Sequence, residues 1–368
     1  MQKQTLFLVS SLLLTGLTTQ LNLTAQANQP LILSQNQTNE QLNELLRQGR
    51  DLVDKGDYVR AISTYQQAAN LDRQNPKIFS GIGYLYAHQG NFPEAARAYQ
   101  QAIFLEPNNA QWQYALGYAL ANGGDNLGAA AAYRRAISLD GTNLNNYLGL
   151  GTVLMRSQDY EGAIATYQKI LALSPGNPEA HELIASALVK QNRSQEALVE
   201  LRKAAKLAPQ SSRIQLSLGM VLVSQGNLAA GLAAFQQAAQ LEPRNAQVHL
   251  QIGKILQAQG DLEGALQAFE RASSIEPDSL EAKASMGEIL LEQEQYLLAI
   301  VTYQRLRELT PEDPKVYYNL GLALKGRDRV TEAITAVKKA RKLYRSQEDN
   351  EGVEQAEALL KQLRESRR

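Results

Sequence analysis

Apolar residues recur through residues 42–347 at intervals of three and four, the spacing of one helical face, with short polar breaks between the runs. In the segment 246–279, Ile252 and Leu256 belong to one run, and Leu262, Ala265, Leu266, Phe269 and Ala272 to a second. Gln259-Gly260-Asp261 separates the two, and Glu276-Pro277-Asp278 ends the second. Two helices joined by a glycine turn and closed by a proline are predicted for this segment. No strand-type alternation competes with that reading.

The same arrangement returns every 34 residues. Pro107, Pro175, Pro209, Pro243, Pro277 and Pro311 stand on this grid, with Gly141 in its one gap. Nine units result: 42–75, 76–109, 110–143, 144–177, 178–211, 212–245, 246–279, 280–313 and 314–347. Position 8 is glycine in all of them except for Ala185, and position 20 is alanine in all except for Gly231. Position 24 carries a ring in seven units: Tyr65, Tyr99, Tyr133, Tyr167, Phe235, Phe269 and Tyr303. A glycine inside a helix costs about 1 kcal/mol relative to alanine. Its recurrence in register therefore predicts close helix approach, with room at position 8 for the small residues at positions 20 and 27 and the ring at 24 beside them. Ile170 and Leu306 replace alanine at position 27, which predicts a local change of pitch. Asn192, Glu294 and Asp328 replace the turn glycine, which predicts turns of another shape.

This grid resembles the tetratricopeptide repeat (TPR), whose pattern appears as His249-x2-Ile252-Gly253-x2-Leu256, Ala265-x3-Phe269 and Pro277. The nine units cover 306 of the 368 residues. The resemblance implies an all-α TPR solenoid, a right-handed superhelix of helix-turn-helix repeats, with the first helix of each repeat lining a concave groove through positions 2, 5, 9, 12 and 13. The ends read as caps. Gln48 is polar where other units are apolar, and residues 348–368 place Val353, Ala356, Leu359, Leu360 and Leu363 on one face of a C-terminal capping helix. The competing reading of that helix is a partner-binding element.

Ahead of the repeats, residues 1–27 read as a signal peptide: Lys3, an apolar run from Leu6 to Leu17, and Ala25-Gln26-Ala27 for cleavage after Ala27. An uncleaved anchor is the alternative. Residues 28–41 are polar and read as a flexible leader. A periplasmic location is expected.

Charge and chemistry narrow the function. The chain carries 37 basic and 37 acidic residues, a net charge of zero, which argues against nucleic acid and against direct binding to an anionic membrane. There is no cysteine, so disulfides, thiol nucleophiles and zinc-thiolate sites are excluded. His181 and His249 share position 4 but lie two repeats apart, on the order of 20 Å for helices of this diameter. No H-E-x-x-H, G-x-S-x-G or P-loop sequence is found, and no enzyme is expected.

The groove positions of repeats two to four gather Tyr84, His88, Tyr114, Tyr118, Asn122, Thr152 and Arg156, with Trp112 close by. Tyrosine offers large contact area and a hydroxyl at low entropic cost, which suits peptide recognition. The alternative is that these rings pack between helices. Position 5 never holds lysine, so the carboxylate clamp of chaperone-binding TPR proteins is absent. Charge is uneven: residues 76–143 hold eight charged side chains, whereas residues 280–368 hold 31. Glu281, Glu288 and Glu292 share one helical face and could hold a hard cation such as manganese or calcium. The helical spacing favours the competing reading, a solvated acidic face.

These features describe an exported scaffold that binds a partner protein segment in its groove. In layout the chain resembles the PratA-like family of periplasmic photosystem II assembly factors. That resemblance implies the C-terminal region of the D1 protein as partner and manganese as cargo, with the tyrosines as the D1 site and Glu281, Glu288 and Glu292 as the metal site. Any membrane association would be peripheral and through a partner. The rival expectations are a periplasmic scaffold for polysaccharide export or outer-membrane assembly, and a metal carrier.

Overall fold

The computed structural model describes residues 29–366, so the signal peptide expected over 1–27 lies outside the described residues. Among the described residues there are nineteen helices and no strand. They fall into two compact units divided between Arg193 and Ser194. The first unit holds α1 (Gln29–Asp54), α2 (Tyr58–Leu71), α3 (Pro76–His88), α4 (Phe92–Leu105), α5 (Ala110–Asn122), α6 (Asn126–Leu139), α7 (Leu144–Arg156), α8 (Tyr160–Leu173) and α9 (Pro178–Lys190). The second holds α10 (Ser194–Leu207), α11 (Ser212–Ser224), α12 (Leu228–Leu241), α13 (Ala246–Ala258), α14 (Leu262–Ile275), α15 (Leu280–Glu292), α16 (Tyr296–Leu309), α17 (Pro314–Gly326), α18 (Val330–Ser346) and α19 (Asn350–Glu365). From α4 to α18, every helix starts 34 residues after the helix two before it. Each unit is an all-α stack of consecutive helix pairs, the arrangement of a solenoid.

Side-chain caps explain the constancy of the starts. Asn75, Asn109, Asn143, Asn177, Asn245 and Asp313 close the first turn of their helices by accepting from a backbone N–H. Asp57, Asn91, Asp125, Asp159, Asn227 and Asp261 do the same for the second helices of their repeats. Each cap satisfies a donor that the helix itself leaves free and contributes about 1 kcal/mol. Gln295 and Arg329 occupy the equivalent place in the last two repeats and make no such bond.

Two expectations change. α1 begins at Gln29, so most of the segment expected as a flexible leader continues the first helix. Beyond Pro30, which a first turn tolerates, the segment contains no helix breaker. The turns without glycine keep the glycine shape: Asn192, Glu294 and Asp328 take φ of 61°, 57° and 57°, beside 76° at Gly90 and 79° at Gly260. Gln158, which also stands at the turn-glycine position, does so too, with φ 62°. The packing of the flanking helices dictates this left-handed residue, and the side chain bears the strain. Ile170 and Leu306 are fully buried at position 27, and their helix pairs, α7/α8 and α15/α16, pack less closely than α3/α4, α5/α6, α13/α14 or α17/α18.

The core repeats one interlock. The ring at position 24 lies directly over the glycine at position 8, as Tyr99 lies over Gly83 and Phe269 over Gly253. Ala95 and Ala265, at position 20, are wholly buried alongside. The second unit closes on α19, whose Ala356, Leu359, Leu360 and Leu363 join Val337 and Tyr344 of α18 in one apolar cluster.

Candidate functional site

In the first unit the opening helices of successive repeats touch one another, α3 against α5 and α5 against α7, more closely than the closing helices α4 and α6 do. The opening helices therefore form the inner row, and their outward stripe carries the seven residues singled out from the sequence. All seven sit on that row: Tyr84 and His88 on α3, Tyr114, Tyr118 and Asn122 on α5, Thr152 and Arg156 on α7.

Tyr84, Tyr114 and Tyr118 are half-buried rather than free-standing. The rings lean on neighbours while keeping an accessible edge. The exposed His88 packs against Tyr58 with ring centroids 4.4 Å apart and lies 6.2 Å from Tyr84. Tyr118 meets Phe92 edge-on at 6.2 Å, and Tyr114 meets Tyr133 edge-on at 5.6 Å. Edge-to-face contacts of this kind fix ring orientation. Burial raises the hydroxyl pKa of Tyr84 and Tyr114 above the ordinary tyrosine value, so both stay protonated at neutral pH.

The polar members are exposed and bond back to helix carbonyls. Asn122 Nδ2 donates to the Tyr118 carbonyl at 2.8 Å, and Thr152 Oγ1 donates to the Leu148 carbonyl at 2.8 Å. Arg156 Nη1 donates to the Ala121 carbonyl at 3.0 Å, tying α7 to the C-terminal end of α5. A cation there also meets the negative end of the α5 dipole. Trp112 is buried inside α5 and its packing, not on the stripe.

Sequence reasoning missed Tyr58 and Phe92. Each opens the second helix of its repeat, at position 17, and reaches the ring of the following repeat. The signal was present, since position 17 is aromatic in four of the nine units: Tyr58, Phe92, Tyr160 and Tyr296.

The acidic trio on α15 behaves differently. Glu281, Glu288 and Glu292 are all exposed, and Glu281 is held by Lys254 at 2.5 Å. Among the described residues, no group of three carboxylates or histidines is close enough to hold a metal ion. The trio is a stripe along one helix, and a helix spreads such residues instead of converging them. Among the described residues, no helix is long and apolar enough to cross a membrane.

Paired helices stacked through a glycine–ring interlock define an α-solenoid of the helical-repeat class. Three family models match it: two described as tetratricopeptide repeat, over residues 154–220 with 222–289 and over 80–143, and one described as TPR repeat, over 49–90 and 287–326. The chain belongs to the tetratricopeptide-repeat family, and it is built as a protein-binding scaffold. It is similar to the crystal structure of a tetratricopeptide repeat protein from Parabacteroides merdae, 19% identical with a TM-score of 0.53 over 68% of this chain and 99% of the other. It is also similar to the C-terminal part of a TPR repeat-containing protein from Cytophaga hutchinsonii, 14% identical with a TM-score of 0.54 over 65% of this chain and 98% of the other. These two likenesses show the fold alone. No curated protein matches the chain.

Proposed function

We propose that the first unit captures an extended segment of a partner protein on the stripe formed by α3, α5 and α7. The observation that supports this most directly is the set of half-buried tyrosines, Tyr84, Tyr114 and Tyr118, each held by a neighbouring ring with one edge left open. Rings already fixed in place lose little entropy on binding, which is what a recognition surface requires. The protein works as a scaffold and not as a catalyst.

The test is affinity capture from an envelope and membrane extract, with the wild-type chain and a Tyr84→Ala/Tyr118→Ala variant as parallel baits and mass spectrometry as the readout. A discrete set of proteins held by the wild type and lost from the variant, at unchanged helicity, is the expected outcome. Equal capture by both baits would return the tyrosines to a packing role.

Export, a periplasmic location and a part in photosystem II assembly rest on the layout of the sequence. The same capture tests them: D1 precursor among the retained proteins supports an assembly factor, and polysaccharide-export or outer-membrane proteins support an envelope scaffold. Manganese as cargo has its own test, saturable binding weakened by Glu288→Ala and Glu292→Ala.

A further inference from the structure

The geometry points to a proline-rich segment in the polyproline II conformation as the occupant of the aromatic stripe, an inference that rests on the stripe being the docking surface proposed above. Charge favours such a segment. On α3 the stripe runs Lys77, Gly81, Tyr84 and His88, at steps of four, three and four; on α5, Tyr118 stands at the position of Tyr84, while Ala115, the counterpart of Gly81, is buried in the core. No carboxylate stands on these stripes or on that of α7. Lys77 and Arg156 lie at its two ends, and Arg156 is already held on the Ala121 carbonyl. The middle of the surface is neutral, so a charged segment would be desolvated there without a counter-charge, while an uncharged one would not.

Donors and acceptors match as well. Among the described residues, no hydrogen-bond partner meets the hydroxyls of Tyr84, Tyr114 or Tyr118. Each is a free donor. A proline-rich segment presents the complement: backbone carbonyls left free by the polyproline II helix, and no N–H at each proline.

The helix surface beside Tyr84 is open. A Cβ on Gly81 would meet nothing within 4 Å. Glycine in mid-helix is costly, and here no packing offsets the cost, unlike the glycines that lie under a ring. What Gly81 leaves is open space next to Tyr84, room for a ring to lie against the tyrosine edge.

The period of the repeats fits too. Packed helices stand 8–10 Å apart as a rule, so the equivalent rings Tyr84 on α3 and Tyr118 on α5, helices that touch, recur at about that distance. Polyproline II advances about 9.3 Å every three residues, which brings one residue in three to each successive ring. Same-face residues of a strand recur at about 6.6 Å, and turns of an α-helix at about 5.4 Å. Neither keeps step with the repeats.

The experiment is calorimetric titration of the full chain with decaproline, and with a glycine–serine decapeptide as the uncharged, flexible control. Saturable binding of decaproline is expected, at least tenfold tighter than the control. Tyr84→Phe and Tyr118→Phe, which keep the ring and remove one donor, should each weaken it about fivefold. Equal binding of the two peptides, or no effect of either phenylalanine, overturns the inference. Competition separates its failure from that of the docking surface. If capture is lost in Tyr84→Ala/Tyr118→Ala but decaproline does not displace the captured proteins, the surface stands and the polyproline occupant falls. If capture is insensitive to that variant, the docking surface itself is wrong.

Discussion

Gly253 of α13 and Phe269 of α14 are so close that a Cβ on the glycine would stand 2.6 Å from the ring. Gly219 and Phe235 make the same contact one repeat earlier. Phe269 is fully buried, so its ring cannot retreat without disturbing the helices around it. Gly253→Ala would gain about 1 kcal/mol of helix propensity and lose about 1–3 kcal/mol to overpacking. A lower urea midpoint is expected, with part of the loss recovered in Gly253→Ala/Phe269→Leu. An unchanged or higher midpoint would show that the interlock is softer than its geometry.

Two positions should respond in the opposite sense. Gly81 is helical with open space around its missing Cβ, so Gly81→Ala should stabilise the first unit by about 0.5–1 kcal/mol. Glu294 is held in the left-handed region at φ 57°, where a non-glycine residue carries about 1–2 kcal/mol of strain. Glu294→Gly should therefore raise the thermal midpoint, although the greater freedom of glycine in the unfolded chain offsets part of the gain. A fall in either midpoint would contradict the local reading.

How much of this was legible follows from where each signal lies. The repeat, the pairing of helices and the closing helix could be read because proline, glycine and alanine recur at fixed offsets, and a period needs no knowledge of contacts. The glycine at position 8 was readable as a close approach, but not that the ring itself sits on it, because that depends on how the paired helices are rotated. The shape of the turns was misread at Asn192, Glu294 and Asp328, since residue type suggested another conformation and helix packing overrode it. The tyrosine stripe was found by column, whereas its partners Tyr58 and Phe92 belong to the preceding repeat and were hidden by reading one repeat at a time. Alignment of Glu281, Glu288 and Glu292 on one face was correctly read, but a shared face is not convergence.

Alkaline pH should unfold the protein through its buried phenols. Burial pushes the Tyr167 hydroxyl up to about 12 and those of Tyr99 and Tyr133 higher still. In the unfolded chain all three titrate near 10. Between the two values the unfolded chain releases protons that the folded chain keeps. The stabilisation is thus complete below about pH 10 and declines above it, by up to about 1.4 kcal/mol per pH unit for each tyrosine. Tyrosinate absorbance should rise in two steps, the exposed phenols first and the buried ones together with loss of helicity. Tyr167→Phe should move the second step to higher pH. A single early step with helicity retained would mean that the buried rings ionise in place.

The closing helix α19 should be required for the second unit to stay soluble. Leu360 and Leu363 are 2% and 0% exposed, and they cover an apolar surface that includes Val337 and Tyr344 of α18. In a solenoid each repeat buries its face on the next, so the last one needs a cover whose other side is polar. α19 has that form, with Glu354, Glu357 and Lys361 on its exposed side. Leu360→Ala removes a buried side chain and should cost about 2–5 kcal/mol, seen as a lower thermal midpoint. Glu354→Ala, on the opposite side of the same helix, should change it by less than about 0.5 kcal/mol. Ending the chain before Asn350 should expose the α18 surface and cause association, read by light scattering. A truncated chain that stays monomeric with an unchanged midpoint would mean that the α18 face tolerates water, and α19 would then be free to serve as a partner-binding element.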